Sequence, residues 1–280
     1  MVIILGLTGV FGKLISLNAL ELVWYRMLIA FVVLALFLLI KKQLFRIKLK
    51  NFFGILAVGA LVTFHWIFFF EAIKVSTVSV AVVCLATSSL LSALIEPIFF
   101  KRKILYYELI MGVLVLASIA YILEADTQYL LGYFYGIMSA LLGTLFTLFN
   151  AKYIGKVGAA KITMIEMLAG VLIVSIILLI NGEYSIFYTA ISFSDFSYLL
   201  ILSIICTAMV FVWMIEILRY ITPYSLIMAV NLEPIYSVVL ALIIFGESEL
   251  MSISFYVGSS VIIGIVLLEG YIKNKHTNAS

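Results

Sequence analysis

Apolar residues run along this chain in long, nearly unbroken stretches, and charged or turn-forming residues punctuate them. The stretches predict membrane spans near 2–18, 20–40, 52–73, 77–100 and 106–123, then near 130–150, 162–181, 197–218, 223–245 and 252–271. About 20 apolar residues in an α-helix cross a bilayer. The runs are too long and too uniformly apolar for the alternating strands of an outer-membrane barrel. The expected fold is therefore an all-α polytopic membrane protein of ten transmembrane helices. The longest link, 181–196, leaves no room for a separate soluble domain. The run beginning at Val2 lacks a basic leader and a small-residue cleavage site, so it reads as the first span and not as a signal peptide. It is short at its start and no basic residue precedes it, which leaves a few residues upstream of Met1 as an open expectation.

Composition supports this pattern. Only 11% of the 280 residues are charged and 66% are hydrophobic, with a mean hydropathy of +1.29. A water-soluble globule carries about 25% charged residues, so most cytosolic enzyme folds, disordered chains and nucleic-acid binders are excluded. Cys84 and Cys206 both lie within apolar runs, and His65 and His276 are the only histidines. No metal site, no cofactor and no catalytic group is expected from that inventory.

Charge orients the spans, because Lys and Arg near span ends stay on the cytoplasmic side. Alternate links hold Lys41, Lys42, Arg46, Lys48 and Lys50; Lys101, Arg102 and Lys103; Lys152, Lys156 and Lys161; Arg219; and Lys273 with Lys275. Only Lys13, Arg26 and Lys74 lie elsewhere. The opposite links carry Glu21, Glu124, Asp126, Glu183, Asp195, Glu247 and Glu249. Both termini are thus expected in the cytoplasm, in a multi-pass protein of the cell (inner) membrane.

The two halves resemble each other at an offset of about 145 residues. Glu71-x-x-Lys74-x-x-Thr77 falls on Glu216-x-x-Arg219-x-x-Thr222, and Phe100 falls on Phe245. At a slightly smaller offset, the words beginning at Tyr25 and Ile165 coincide, which pairs Arg26 with Glu166. Five spans per half is an odd number, so the second copy enters the membrane from the opposite side. That is the inverted repeat of many secondary transporters, whose substrate site lies at the midplane between the copies.

The stretch Leu22-Val23-Trp24-Tyr25-Arg26-Met27-Leu28-Ile29-Ala30, the passage Ala72 to Thr77, and Asn231-Leu232-Glu233-Pro234 followed by Phe245-Gly246-Glu247-Ser248-Glu249 resemble the EamA-domain branch of the drug/metabolite transporter superfamily. The resemblance covers essentially the whole chain. It implies two EamA units, here 1–124 and 130–271 with a short cytoplasmic tail at 272–280, and alternating access between the halves. It also implies a small metabolite as cargo, which amino-acid exporters, riboflavin-type importers and drug pumps of that family leave unnamed. The first half departs from the pattern, with Ser89 where the second has Pro234 and Arg102 where the second has Glu247.

Ionisable side chains at bilayer depth mark candidate sites. Glu233 falls about 15 Å into its span, beside Pro234, which removes a backbone donor. It reads as a ligand for a cation, an amine or a proton, or alternatively as a protonated side chain bonded to a neighbouring helix. Ser225, Ala229, Glu233 and Ser237 recur at four-residue spacing, and so do Cys84, Ser88, Ser92 and Glu96. Such stripes line a cavity or let helices pack closely, and Asn231 and Tyr236 flank the first. Arg26 and Glu166 read as gate or substrate residues, or as interfacial side chains, with Tyr25 beside Arg26. His65 is a candidate proton site. Trp66 and Trp213 offer rings for stacking on cargo or for ordinary packing. Lys13 and Glu96 read as snorkelling side chains, and Glu71–Lys74 and Glu216–Arg219 as pairs that tidy helix ends.

The leading reading is a secondary transporter of small organic metabolites, in the direction of export, driven by protons or by exchange. No glycine-rich phosphate loop is present to energise it with ATP. The expected partners are the metabolite and the lipid bilayer, with no nucleic acid; a single copy and a homodimer both remain open. The alternatives are a polytopic membrane enzyme, for which the cytoplasmic links lack clustered carboxylates, and an accessory membrane subunit without transport.

Overall fold

The computed structural model describes residues 1–43, 47–125, 127–182 and 191–277, with the backbone alone at 123–125, 269–270 and 273–277. Arg46, Asp126, Glu183 and half of the 181–196 link lie outside the described residues, as do the side chains of Glu124, Lys273, Lys275 and His276.

Every regular element among the described residues is helical. In chain order they are α1 (Val2–Leu14), α2 (Ala19–Ile40), α3 (Leu49–Val75), α4 (Val78–Cys84), α5 (Ser88–Phe100), α6 (Tyr106–Ala125), α7 (Leu130–Tyr153), α8 (Ala159–Ile180), α9 (Phe193–Ser203), α10 (Val210–Ile217), α11 (Pro223–Val230), α12 (Glu233–Phe245) and α13 (Ile253–Thr277). Each of the ten apolar stretches coincides with one helix or with two joined ones. Seven of these are long and apolar enough to cross a membrane: Ala19–Ile40, Leu49–Val75, Val78–Phe100, Thr127–Tyr153, Ala159–Ile180, Phe193–Ile217 and Pro223–Glu249. The other three, Val2–Leu14, Tyr106–Ile122 and Ile253–Leu268, are shorter apolar helices.

Three of the long segments are interrupted. A 3-10 turn, Leu85–Thr87, joins α4 to α5; a π-helical stretch, Ile204–Met209, joins α9 to α10; and a turn at Asn231 and Leu232 joins α11 to α12. The helix starts follow local chemistry. Asn18 accepts from the Glu21 amide at 2.9 Å while Glu21 accepts from the Asn18 amide at 3.2 Å, a reciprocal cap on α2. Thr77 and Thr222 cap α4 and α11 through their hydroxyls. Asp195 accepts from the Ser16 amide at 2.9 Å and from the Ser16 hydroxyl, which ties the α1–α2 turn to the start of α9.

Side chains are distributed as a lipid solvent demands. Thr63, Ser139, Thr163 and Ser203 are fully buried, while large apolar side chains such as Ile40, Ile180 and Ile253 face outward. The main apolar core joins α1, α2, α3, α8, α9 and α10 through residues such as Met27, Val62, Phe70, Ile165 and Leu202. A second one, with Val80, Ile119, Tyr133 and Phe255, packs α4, α6, α7 and α13 together.

The halves echo each other at the ends of α5 and α12. Lys101 and Gly246, equivalent at the offset of about 145 residues, both turn with positive φ, 54° and 56°. Ile98 and Ile243 are likewise equivalent and both point outward, 79% and 74% exposed. Glycine permits such a turn without strain, whereas lysine adopts it against a steric preference.

Helix α3 crosses α8 at close range. A Cβ added at Gly59 would stand 2.5 Å from Ala169 Cβ and 2.9 Å from the Glu166 carbonyl oxygen. Gly59→Val is therefore expected to destabilise the protein by about 1–3 kcal/mol through overpacking. Gly155→Ala, where no atom lies within 4 Å of the new Cβ, serves as the control. Thermal unfolding of the two variants in detergent checks this, with a lowered midpoint expected only for the first.

Candidate functional site

Two of the three helix breaks, at Leu85–Thr87 and at Asn231–Leu232, meet at a cavity. Its walls come from both halves: Thr8 of α1, Arg26 of α2, His65, Trp66 and Phe69 of α3, Ser88 at the start of α5, Gly143, Phe146 and Thr147 of α7, Phe211 of α10, and Asn231 and Glu233 at the α11–α12 turn. Most of the surface is apolar and aromatic, so the few polar groups stand out as its chemistry.

Arg26 is the largest of them. It is 1% exposed, and its guanidinium lies over the Trp66 ring at 4.0 Å from the centroid and over Phe70 at 5.5 Å. Its Nε donates to Thr207 Oγ1 at 2.5 Å. Thr207 belongs to the π-helical stretch and passes its own proton to the Leu202 carbonyl at 2.7 Å. The extra residue per turn in that stretch is what carries Thr207 to Arg26. Nη1 of Arg26 has no hydrogen-bond partner, and the nearby carboxylate of Glu233 acts on the guanidinium by charge alone.

Glu233 is 5% exposed and opens α12. Pro234 brings no N–H, so the chain turns at Asn231 and Leu232, and the Leu232 amide reaches back only to Ala229 at 3.3 Å. Asn231 Oδ1 accepts from Ser88 Oγ at 3.2 Å, which joins the two half-helix junctions, while Asn231 Nδ2 is buried without a partner. His65 Nδ1 meets the Ser139 carbonyl at 2.8 Å and Ser139 Oγ at 2.9 Å. A carbonyl only accepts, so in the neutral ring Nδ1 carries the proton and Nε2 is the accepting nitrogen.

The structure thus brings together six of the residues singled out in the sequence: Glu233, Asn231, Ser88, His65, Trp66 and Arg26. Six others lie outside the cavity lining. Ser237 is buried against α1 and donates to the Gly6 carbonyl at 3.0 Å, and Tyr236 is 37% exposed. Ser92 is buried away from the lining. Glu166 is fully buried where α8 meets Gly59 and Asn150. Tyr25 is half-buried, edge-on to Trp24 at 4.9 Å, and Trp213 is 45% exposed. The four-residue stripes assume uninterrupted helices, and the turns at Leu85–Thr87 and Asn231–Leu232 break them.

Lys13 and Glu96 do not snorkel. Lys13 Nζ pairs with Glu249 Oε1 at 2.8 Å, and Glu96, 2% exposed, accepts from Arg102 Nε at 3.0 Å. An oppositely charged partner within reach holds each of them. Glu216 and Arg219 form the expected pair at 2.7 Å, whereas Lys74 turns to the Ile15 carbonyl at 2.7 Å. Thr8, Phe146, Thr147, Thr207 and Phe211 were not singled out. The spacing Ser139, Gly143, Thr147 on α7 is a small and polar stripe of the same kind as those in α5 and α12.

Comparison with known proteins agrees with this architecture. The family model described as the EamA-like transporter family matches residues 1–124 and again 130–269. No curated protein matches. A crystal structure of a protein 15% identical to this chain superposes with a TM-score of 0.71, covering 95% of this chain and 93% of its own. At that identity the likeness is one of fold.

Thr207 makes the hydrogen bond that holds Arg26 in its aromatic cage. Thr207→Val should lower stability by about 1.5–3 kcal/mol, the usual weight of a hydrogen bond to a charged group. Thermal unfolding in detergent reads it, and Arg26→Met in the same background should make the Thr207 substitution nearly silent.

Proposed function

Because this chain belongs to the EamA-like transporter family, we propose that it is a secondary transporter that exports small organic metabolites across the cytoplasmic membrane by alternating access, coupled to protons or to exchange. The observation that carries this reading is that Arg26 and Glu233, one from each half, face one buried, largely apolar cavity. Opposite charges at bilayer depth are retained where they bind cargo or coupling ions.

The proposed architecture is ten membrane-crossing segments, with the three shorter apolar helices completing the seven long ones. They form two five-helix repeats, 1–124 and 130–271, of inverted topology. Positive φ at the equivalent positions Lys101 and Gly246 supports the repeat, and an odd number of crossings per copy requires the inversion. The distribution of Lys and Arg supports cytoplasmic termini.

The lining chemistry suits an amphipathic, amino-acid-like cargo. Arg26 Nη1 and Asn231 Nδ2 are unpartnered donors suited to a carboxylate. Glu233 is suited to an amine or a proton, and Trp66, Phe69, Phe146 and Phe211 to an apolar body. His65 is the second proton-accepting group on the wall. Glu166 and Tyr25 would act on the gates from outside the cavity.

The test is an untargeted comparison of metabolites inside and outside cells expressing the wild type or Glu233→Gln at equal membrane levels, followed by flux in proteoliposomes. A compound that accumulates outside only with the wild type is expected. Wild-type flux and an unchanged dependence on the proton gradient in Glu233→Gln would refute the role of Glu233.

A further inference from the structure

Two buried carboxylates outside the cavity perform the same task at the two ends of one span. Glu249, fully buried in the short turn after α12, accepts from the Val78 amide at 3.1 Å, the Ser79 amide at 3.1 Å and the Ser79 hydroxyl at 3.0 Å. Thr77 Oγ1 takes the next amide, Val80, at 3.1 Å. All the donors that open the Val78–Phe100 span are thus satisfied, two of them by a side chain of the other half. Lys13 neutralises Glu249 at 2.8 Å.

The equivalent end of the second half is closed in the same way. Pro223 has no N–H, Glu96 Oε2 accepts from the Tyr224 amide at 2.6 Å, and Thr222 Oγ1 accepts from the Ser225 amide at 3.2 Å. Here Arg102 neutralises the carboxylate, bonding Glu96 at 3.0 Å and Glu108 at 2.7 Å. Partial burial works against the charge on Arg102, yet hydrogen bonds and attraction from Glu108 and Glu96 hold its pKa above the ordinary value. Ser79 and Tyr224 are equivalent positions of the repeat, so each half presents the same backbone donor to a carboxylate of its partner half.

Val78, whose amide Glu249 takes, and Glu96 are about 27 Å apart along the Val78–Phe100 span, close to the thickness of the hydrocarbon layer. Ser88 and Asn231, the junctions that line the cavity, lie between them. Each of α4 and α11 is therefore a short lever, pinned at one end by the other half's carboxylate and jointed at the cavity.

We propose that Glu249 and Glu96 are positioning residues of the transport cycle, two latches at opposite membrane faces whose alternate release opens the cavity to one side at a time. Both are engaged in this structure. The proposal rests on the alternating-access reading above. Each latch needs a carboxylate, because its two oxygens take backbone amides and a cation together: two amides and Lys13 for Glu249, one amide and Arg102 for Glu96.

The test reads access directly. Ser88→Cys is introduced with Cys84→Ala and Cys206→Ala, and labelling by a membrane-impermeant maleimide is timed from each side in vesicles of known orientation. Releasing a latch forfeits hydrogen bonds to a charged group, so Glu249→Ala should raise labelling about tenfold from one face, and Glu96→Ala by a similar factor from the opposite face. Glu249→Gln and Glu96→Gln, which keep one accepting oxygen, should show the same sidedness at smaller size and decide the matter if an alanine variant fails to insert. Unchanged labelling, or equal increases from both faces, would reduce the pair to helix caps and overturn the proposal. The assay needs no cargo, so it stands apart from the transport test: sided labelling without flux would sink the transport reading alone, and flux without sided labelling the latches alone.

Discussion

Backbone amides and carbonyls have no water to bond inside a bilayer, and this constraint governs the rest of the structure. An unbroken helix satisfies them all, so every interruption at membrane depth must be repaired by the protein itself. The repairs are visible at two of the breaks. Thr87, Ser88 and Ser89 return their hydroxyls to the carbonyls of Cys84, Leu85 and Ala86 at 2.6–2.8 Å, and Thr207 does the same for Leu202. Where α4 and α11 begin afresh, threonines and buried glutamates take their amides. The breaks persist because they open space: the first residues past two of them, Ser88 and Glu233, face the cavity.

The same solvent sorts the side chains. Apolar surface gains nothing by leaving lipid, so helices associate through close packing and polar contacts, as at Gly59 on α8 and Ser237 on α1. Charge is tolerated only where something answers it. Lys13 and Arg102 have their carboxylates. Arg26 has one hydroxyl, two aromatic rings and the field of Glu233, with one nitrogen left unbonded. The proposed binding role of Arg26 draws on that unbonded nitrogen.

Much of the design is legible in one dimension. The apolar runs delimit the helices to within a few residues, because the thickness of the bilayer and the rise of a helix set their length. Glu233 stands out by depth, and Arg26 and Glu166 as charges within apolar runs, since a charged side chain there is costly wherever it points. Which way each polar residue turns is not legible. A stripe at four-residue spacing predicts a common face only while the helix is intact, and the turns at Leu85–Thr87 and Asn231–Leu232 leave Ser88 and Glu233 in the cavity but Ser92 and Ser237 in helix contacts. The capping carboxylates escape the repeat register as well. Glu249 has Ile104 as its equivalent and Glu96 has Ala241, so the two halves do the same task from different positions.

The sequence by itself determined the solvent, the helices and the depth of Glu233, because hydropathy and span length are local properties added along the chain. Only the tertiary structure decided that Arg26 and Glu233 share one cavity, that Thr207 reaches the arginine through a π-helical turn, and that Glu249 and Glu96 pin helices of the opposite half. Those relations join residues more than a hundred positions apart, and they depend on helix rotation and crossing, which close packing of side chains sets and no local pattern encodes.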